Sequence, residues 1–209
     1  MIPAREALAL LREGNRRFVA DLRNPESLHA RRIELATGQA PFAAILGCSD
    51  SRVPVEIVFD QGLGDLFVIR VAGNIVAPSQ IGSIEFAADR FATRLVVVLG
   101  HSNCGAVETT LQQLKSPREN QSRNVRSIVD LVRPSVERLL TTELKDDLPA
   151  LMHEAVRANI RASVRNLRHG SDIIEHLIQN DGLLVVGAEY SLDTGEVEFF
   201  DDTEEGDRS

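Results

Sequence analysis

The chain has 209 residues, 43% of them hydrophobic, and a formal net charge of −8. At roughly 100–200 residues per domain this is one domain spanning 1–209, with enough apolar residues to bury a core rather than remain disordered. The acidic balance argues against a nucleic-acid partner. The longest apolar runs fall far short of the ~20 residues that cross a membrane, and two cysteines cannot make a disulfide scaffold.

The N-terminus meets Arg5 and Glu6 at once, with no apolar leader, so a cytoplasmic protein with reduced thiols is expected. Residues 4–22 have the spacing of an amphipathic helix, with Leu8, Leu11, Phe18 and Leu22 on one stripe. It opens an N-terminal helical arm over 1–38 that packs on its own domain or on a second subunit. Residues 23–41 are polar and connecting, punctuated by Gly38 and Pro41. Phe42–Gly47 suits a buried strand, Val55–Phe59 and Phe67–Val71 are further apolar segments, and Gln80–Arg90 has helical spacing. Leu95–Leu99 is the strongest buried-strand signal, followed by a helical Cys104–Leu114.

A polar break at 115–122 precedes helical stretches at about 123–140 and 148–169. A short helix over 171–179 follows, with Ser171 and Asp172 suited to its N-terminus. Leu183–Ala188 reads as a strand, and Val197–Phe200 closes a hairpin at an antiparallel sheet edge. The expected fold is α/β: a mainly parallel β-sheet flanked by helices, with the N-terminal arm and the edge hairpin. The last nine residues, 201–209, hold five acids and one arginine and form an acidic tail.

Two loops carry chemistry. Cys48-Ser-Asp50-Ser-Arg52 follows the first strand, and His101-Ser-Asn-Cys104-Gly105 follows the Leu95 strand. In an open parallel sheet, loops at the carboxyl ends of strands converge on a ligand crevice. Together they offer two thiolates, an imidazole and a carboxylate, the ligand types of tetrahedral zinc rather than of Mg²⁺, Ca²⁺ or an iron–sulfur cluster. On the residues alone three readings stand: a zinc site, a Cys48–Cys104 disulfide, and buried cysteines with no metal or redox role.

Cys48-Ser-Asp-Ser-Arg52-Val-Pro and Gly100-His-Ser-Asn-Cys104-Gly-Ala resemble the paired signatures of the β-class carbonic anhydrases. The likeness runs on through Phe59-Asp-Gln-Gly-Leu-Gly-Asp-Leu-Phe67-Val-Ile-Arg70-Val-Ala-Gly-Asn74 and Ser83-Ile-Glu-Phe86-Ala. It implies one Zn²⁺ per chain held by Cys48, His101 and Cys104, and reversible hydration of CO₂ to bicarbonate and a proton through a zinc-bound hydroxide. It implies a dyad in which Arg52 keeps the Asp50 carboxylate off the metal, Asp50 taking the fourth position in a closed state. It further implies substrate contacts from Gln39, Phe67 and Gly105, and a homodimer or homotetramer with Gln39 and Phe67 from different chains.

Two departures from the family pattern stand out. Phe86 takes the place of a frequent tyrosine. Ile45 stands where a bicarbonate-regulated subgroup has tryptophan, although Arg70 and Tyr190 match the other members of that subgroup's pocket. His29, His153, His169 and His176 have no readable relation to the metal. Among rivals, a Gly-x-Gly-x-x-Gly dinucleotide fingerprint beginning at Gly62 fails because its third position is Phe67. A non-catalytic zinc protein permanently closed by Asp50, and a hydrolase acting on a sulfur analogue of CO₂, remain as alternatives.

Overall fold

The structure, a computed structural model, describes residues 2–22, 28–117 and 122–200. The acidic tail and part of the polar break read at 115–122 lie outside these residues. The chain runs α1 (Ala4–Val19), α2 (Leu28–Glu34), β1 (Ala43–Gly47), α3 (Val55–Val58), β2 (Leu66–Arg70), α4 (Pro78–Arg90) and β3 (Leu95–His101). It continues through α5 (Gly105–Lys115), α6 (Arg123–Val136), α7 (Leu148–His169), α8 (Asp172–Asn180), β4 (Leu184–Tyr190) and β5 (Val197–Phe200).

The strands form one sheet in the order β2-β1-β3-β4-β5. The first four are parallel and β5 runs antiparallel to β4. Every residue of β1 and β3 is buried, because helices cover both faces of a parallel sheet. That is why these strands read as unbroken apolar runs rather than as an alternation. Ala44, Leu46, Val96 and Val98 face α4, α7 and their neighbours. Ala43, Ile45, Leu95, Val97 and Leu99 face α1 and α3. From β1 the chain passes to β2 on one side and returns to β3 on the other, so the loops leaving β1 and β3 sit side by side at a topological switch point.

The first helix packs on the chain's own sheet. Ala7 and Leu11 are fully buried, and a Cβ on Gly14 would stand 1.8 Å from the Phe59 carbonyl oxygen. Buried Asn15 donates to the Val58 and Gly195 carbonyls at 3.1 and 2.9 Å and accepts from Val197 N–H at 2.8 Å. The helix stops at Val19 rather than at 22, with Asp21 at φ 54° turning the chain away.

The stretch read as a connection over 23–41 contains α2 and a 3₁₀ turn, Leu35–Thr37. Its anchors are remote in sequence: Arg31 pairs with Asp65 at 2.8 Å and donates to the Leu63 carbonyl at 3.2 Å. The helix read over 123–140 is α-helical to Val136 and tightens into a 3₁₀ turn beyond, just past Pro134, which has no N–H to continue the ladder. No helix among the described residues is long and apolar enough to cross a membrane.

Candidate metal centre

Gly47 and Leu99 are neighbours across the β1–β3 ladder, so the two motif loops leave the sheet at one edge. Cys48 directly follows β1, His101 ends β3, and Cys104 is the N-cap of α5. One ligand atom from each lies within 4.8 Å of the others, and all three residues are buried. The spacing alone did not decide between a metal, a disulfide and inert burial; this convergence favours the metal.

The histidine makes the case. His101 is fully buried. Its Nδ1 lies 2.9 Å from the Ser102 carbonyl oxygen. A carbonyl only accepts, so Nδ1 carries the proton and Nε2 presents a bare lone pair. That Nε2 is buried with no hydrogen-bond partner, a loss of about 1–3 kcal/mol for a polar atom that a coordinated cation would offset. Cys48 and Cys104 are free thiols. A hydrogen bond from Cys104 draws the Cys48 thiol far below its ordinary value against the opposing effect of burial, with help from the Gly73 N–H, 3.4 Å from Sγ. The same bond pushes the Cys104 thiol upward. Two sulfurs beside an imidazole lone pair form a soft S₂N donor set, which fits Zn²⁺.

The floor of the site is the 3₁₀ turn Ala72–Asn74. Gly73 has φ 72°, where a side chain would be strained, and its Cβ would press on Ala106 at 3.1 Å. Two polar residues of α7 hold this turn: Asn159 Nδ2 donates to the Gly73 carbonyl at 2.8 Å, and Ser163 Oγ to the Asn74 carbonyl at 3.0 Å. Sequence reasoning missed both. Their signal was present, since they interrupt the buried apolar stripe of Leu151, Ala155, Val156, Ile160, Val164 and Leu167 at helical spacing.

Asp50 and Arg52 form a two-pronged pair. Arg52 Nε donates to Asp50 Oδ1 at 2.9 Å and Nη2 to Oδ2 at 2.7 Å, while the Arg52 backbone N–H reaches Oδ1 at 3.0 Å. These bonds, the guanidinium side chain first, hold the Asp50 carboxyl well below the usual carboxylate range. Oδ2 also lies 3.8 Å from His101 Nε2. The carboxylate therefore borders the place where the imidazole lone pair and the two sulfurs converge.

The three residues expected to contact substrate divide. Gly105 opens α5 beside Cys104, is exposed, and a Cβ there would meet nothing within 4 Å. Gln39 and Phe67 lie away from the metal ligands. Gln39 is exposed ahead of the amino end of β1. The five residues of β1, about 17 Å at about 3.3 Å each, lie between it and Cys48. Phe67 pairs with Ala44, near that same end, and clusters with Phe86 and Phe91 at ring-centroid distances of 6.1 and 5.9 Å. Phe86 is 53% exposed.

Of the residues matched to a bicarbonate pocket, Ile45 is buried in β1, Tyr190 lies tilted against Phe18 with ring centroids 6.4 Å apart, and Arg70 turns onto the Cys48–Asp50 backbone. His153, His169 and His176 sit on α7 and α8 against Glu189, Glu175 and Asn180. The side chain of His29 lies outside the described residues.

A sequence profile of the carbonic anhydrase family matches residues 43–197. The chain is 41% identical to carbonic anhydrase 2 of Mycobacterium tuberculosis over 88% of its own length and 87% of that protein's. It is 39% identical to a carbonic anhydrase of Mycolicibacterium smegmatis, covering 90% and 89% of the two chains. Among solved structures, a tetrameric β-carbonic anhydrase of Sordaria macrospora superposes with a TM-score of 0.72 at 26% identity, covering 81% of this chain and 85% of the other.

Proposed function

The chain belongs to the β-class carbonic anhydrase family and is a zinc enzyme for the reversible hydration of CO₂, and from that premise we propose the roles of its residues and its assembly. Cys48, His101 and Cys104 hold the zinc, which when bound lowers the pKa of water toward neutrality and so supplies a hydroxide nucleophile. Asp50 orients that nucleophile. An ionised carboxylate only accepts hydrogen bonds, so it fixes the O–H direction and leaves the oxygen lone pair for carbon. Arg52 keeps Asp50 ionised and turned outward through a charge-assisted fork. Without Arg52, Asp50 is free to turn toward the cation and close the site.

Gly105 leaves room for CO₂ and offers a backbone N–H at the start of α5 to an oxygen that gains negative charge. Gln39 and Phe67, expected from different chains, are both assigned to the metal site of a second chain, because both lie toward the amino end of β1, away from their own ligands. The active form is therefore a dimer or a multiple of dimers, with the exposed Phe86 beside the contact. Thiolate ligation of zinc requires reduced cysteines, which supports a cytoplasmic location.

One observation carries this reading: a buried S₂N triad bordered, at 3.8 Å from the imidazole Nε2, by a carboxylate that an arginine fork restrains. Metal analysis paired with stopped-flow CO₂ hydration across pH tests it. The expected result is one zinc per chain and activity rising with pH. Stoichiometric zinc without hydration, at any pH, would favour a permanently closed structural site.

A further inference from the structure

Asp50 and Arg52 lie in the same turn, and this poses a mechanical problem. A contact inside a loop fixes the loop's shape but not its position relative to the sheet. The Asp50 carbonyl closes that turn by accepting the Val53 N–H at 3.1 Å. If the turn rocked as a unit, the Asp50–Arg52 fork would survive while its distance from the metal ligands changed. Arg52 reaches the other motif loop only through Nη2 and the Asn103 carbonyl, at 3.5 Å, a marginal hydrogen bond.

The external reference is on β2. Arg70 is the last residue of that strand and pairs with Gly47, the residue just before Cys48. Its Nε donates to the Cys48 carbonyl at 3.0 Å and its Nη2 to the Asp50 carbonyl at 2.6 Å. One rigid fork thus grips the loop at two carbonyls two residues apart, on either side of Ser49. A guanidinium does this because its donors are coplanar and fixed; an ammonium presents a single point charge. The backbone beyond continues the grip, with the Val71 N–H on the Gly47 carbonyl at 3.1 Å.

We infer that Arg70 is a positioning residue, bracing the Cys48–Asp50 backbone against the sheet so that the Asp50 carboxylate stays on Arg52 and clear of the metal. The inference rests on the reading of Asp50 and Arg52 as a dyad, and assigns Arg70 to the loop rather than to a ligand. Its consequence is that loss of the brace mimics loss of Arg52 without substituting either member of the pair or any metal ligand.

The test uses the full-length enzyme with Co²⁺ in place of zinc, whose visible absorption reports the fourth ligand. Arg70→Met, Arg70→Lys and Arg52→Ala are compared with wild type, and Arg70→Met is repeated in an Asp50→Asn background. The expected result is one metal per chain throughout, with the Arg70→Met spectrum shifted toward that of Arg52→Ala. kcat/KM falls about tenfold, the scale of one charge-assisted hydrogen bond, and less for Arg70→Lys. In the Asp50→Asn background the added loss is less than about twofold, because the brace acts through Asp50. Equal losses in both backgrounds, or a lowered melting temperature with an unshifted spectrum, would make Arg70 a stability residue and overturn the inference. A shifted Arg52→Ala spectrum with a wild-type Arg70→Met spectrum would overturn it while leaving the dyad intact. A wild-type spectrum and activity for Arg52→Ala would instead overturn the dyad reading beneath it.

Discussion

The two ends of β1 differ in what they lack. At the carboxyl end the chain supplies its own partners: Cys48, His101 and Cys104 are buried together, Arg52 and Arg70 hold the intervening loop, and α7 props the turn beneath. At the amino end, Gln39 is exposed and Phe86 is half-exposed beside Phe67. A metal centre must be rigid before its ligand arrives, and contacts within one chain make it so. A pocket wall need only be present when substrate binds, and a second copy can provide it. On the proposed roles, the contrast separates the metal ligands and the loop that carries Asp50 from the pocket wall of Gln39 and Phe67.

The largest effect should follow from damage to the self-contained end. Cys104→Ser removes one of three ligands, and we expect loss of stoichiometric zinc with hydration falling at least about a thousandfold, read by metal analysis and stopped flow. Full zinc in that variant would dissolve the proposed triad. Arg52→Ala leaves the ligands intact and releases Asp50. Zinc should remain while activity falls about a hundredfold, within the range for a positioned acid–base group, and raising the pH should recover only part of it.

Gly105→Ala tests a substrate role beside the metal ligands. A Cβ there meets nothing within the chain, and alanine is the better helix former by up to about 1 kcal/mol. The melting temperature should hold or rise slightly while kcat/KM falls several-fold. Unchanged kinetics would show that the space beside Cys104 is not used by substrate.

The smallest effect is on stability against pH. Arg52 lowers the Asp50 carboxyl in the folded state. The stabilisation is therefore fully present above the unfolded carboxylate value of about 4 and is lost as pH falls through the lower folded value. The melting-temperature gap between wild type and Asp50→Asn should be constant from neutral pH to about pH 5 and shrink below about pH 4. A gap that widens on acidification would mean that Arg52 does not hold the carboxylate.

Much of the self-contained end was legible in sequence because its signals are local. An apolar run of β-branched residues marks β3, and the ligand-bearing loops follow such runs directly. Helix α7 was readable from Leu148 to His169 for the same reason. Helix α2 was not, since its hold on the domain comes from Asp65 and Leu63, over thirty residues away. The short helix α3 spans one turn, too little for periodicity to declare itself. The brace from Arg70 depends on strand register, and Gln39 illustrates the harder limit. Its place nine residues before Cys48 suggests nearness, yet an extended strand turns that spacing into separation.

The central claim, that each site is completed across a subunit boundary, has a direct test by complementation. Gln39→Ala chains keep the metal ligands but lack the glutamine, and Cys104→Ser chains keep the glutamine but lack the metal site. The two are co-expressed with different tags, and the mixed assembly is isolated through both. If Gln39 acts on its partner's metal, each mixed dimer holds one whole site, because the Cys104→Ser chain lends its glutamine to the intact zinc of the other. Hydration should then reach roughly half the wild-type rate per dimer, well above either variant alone. A mixed assembly no more active than the average of its two parents would contradict the account, leaving Gln39 either at its own chain's metal or outside the active site.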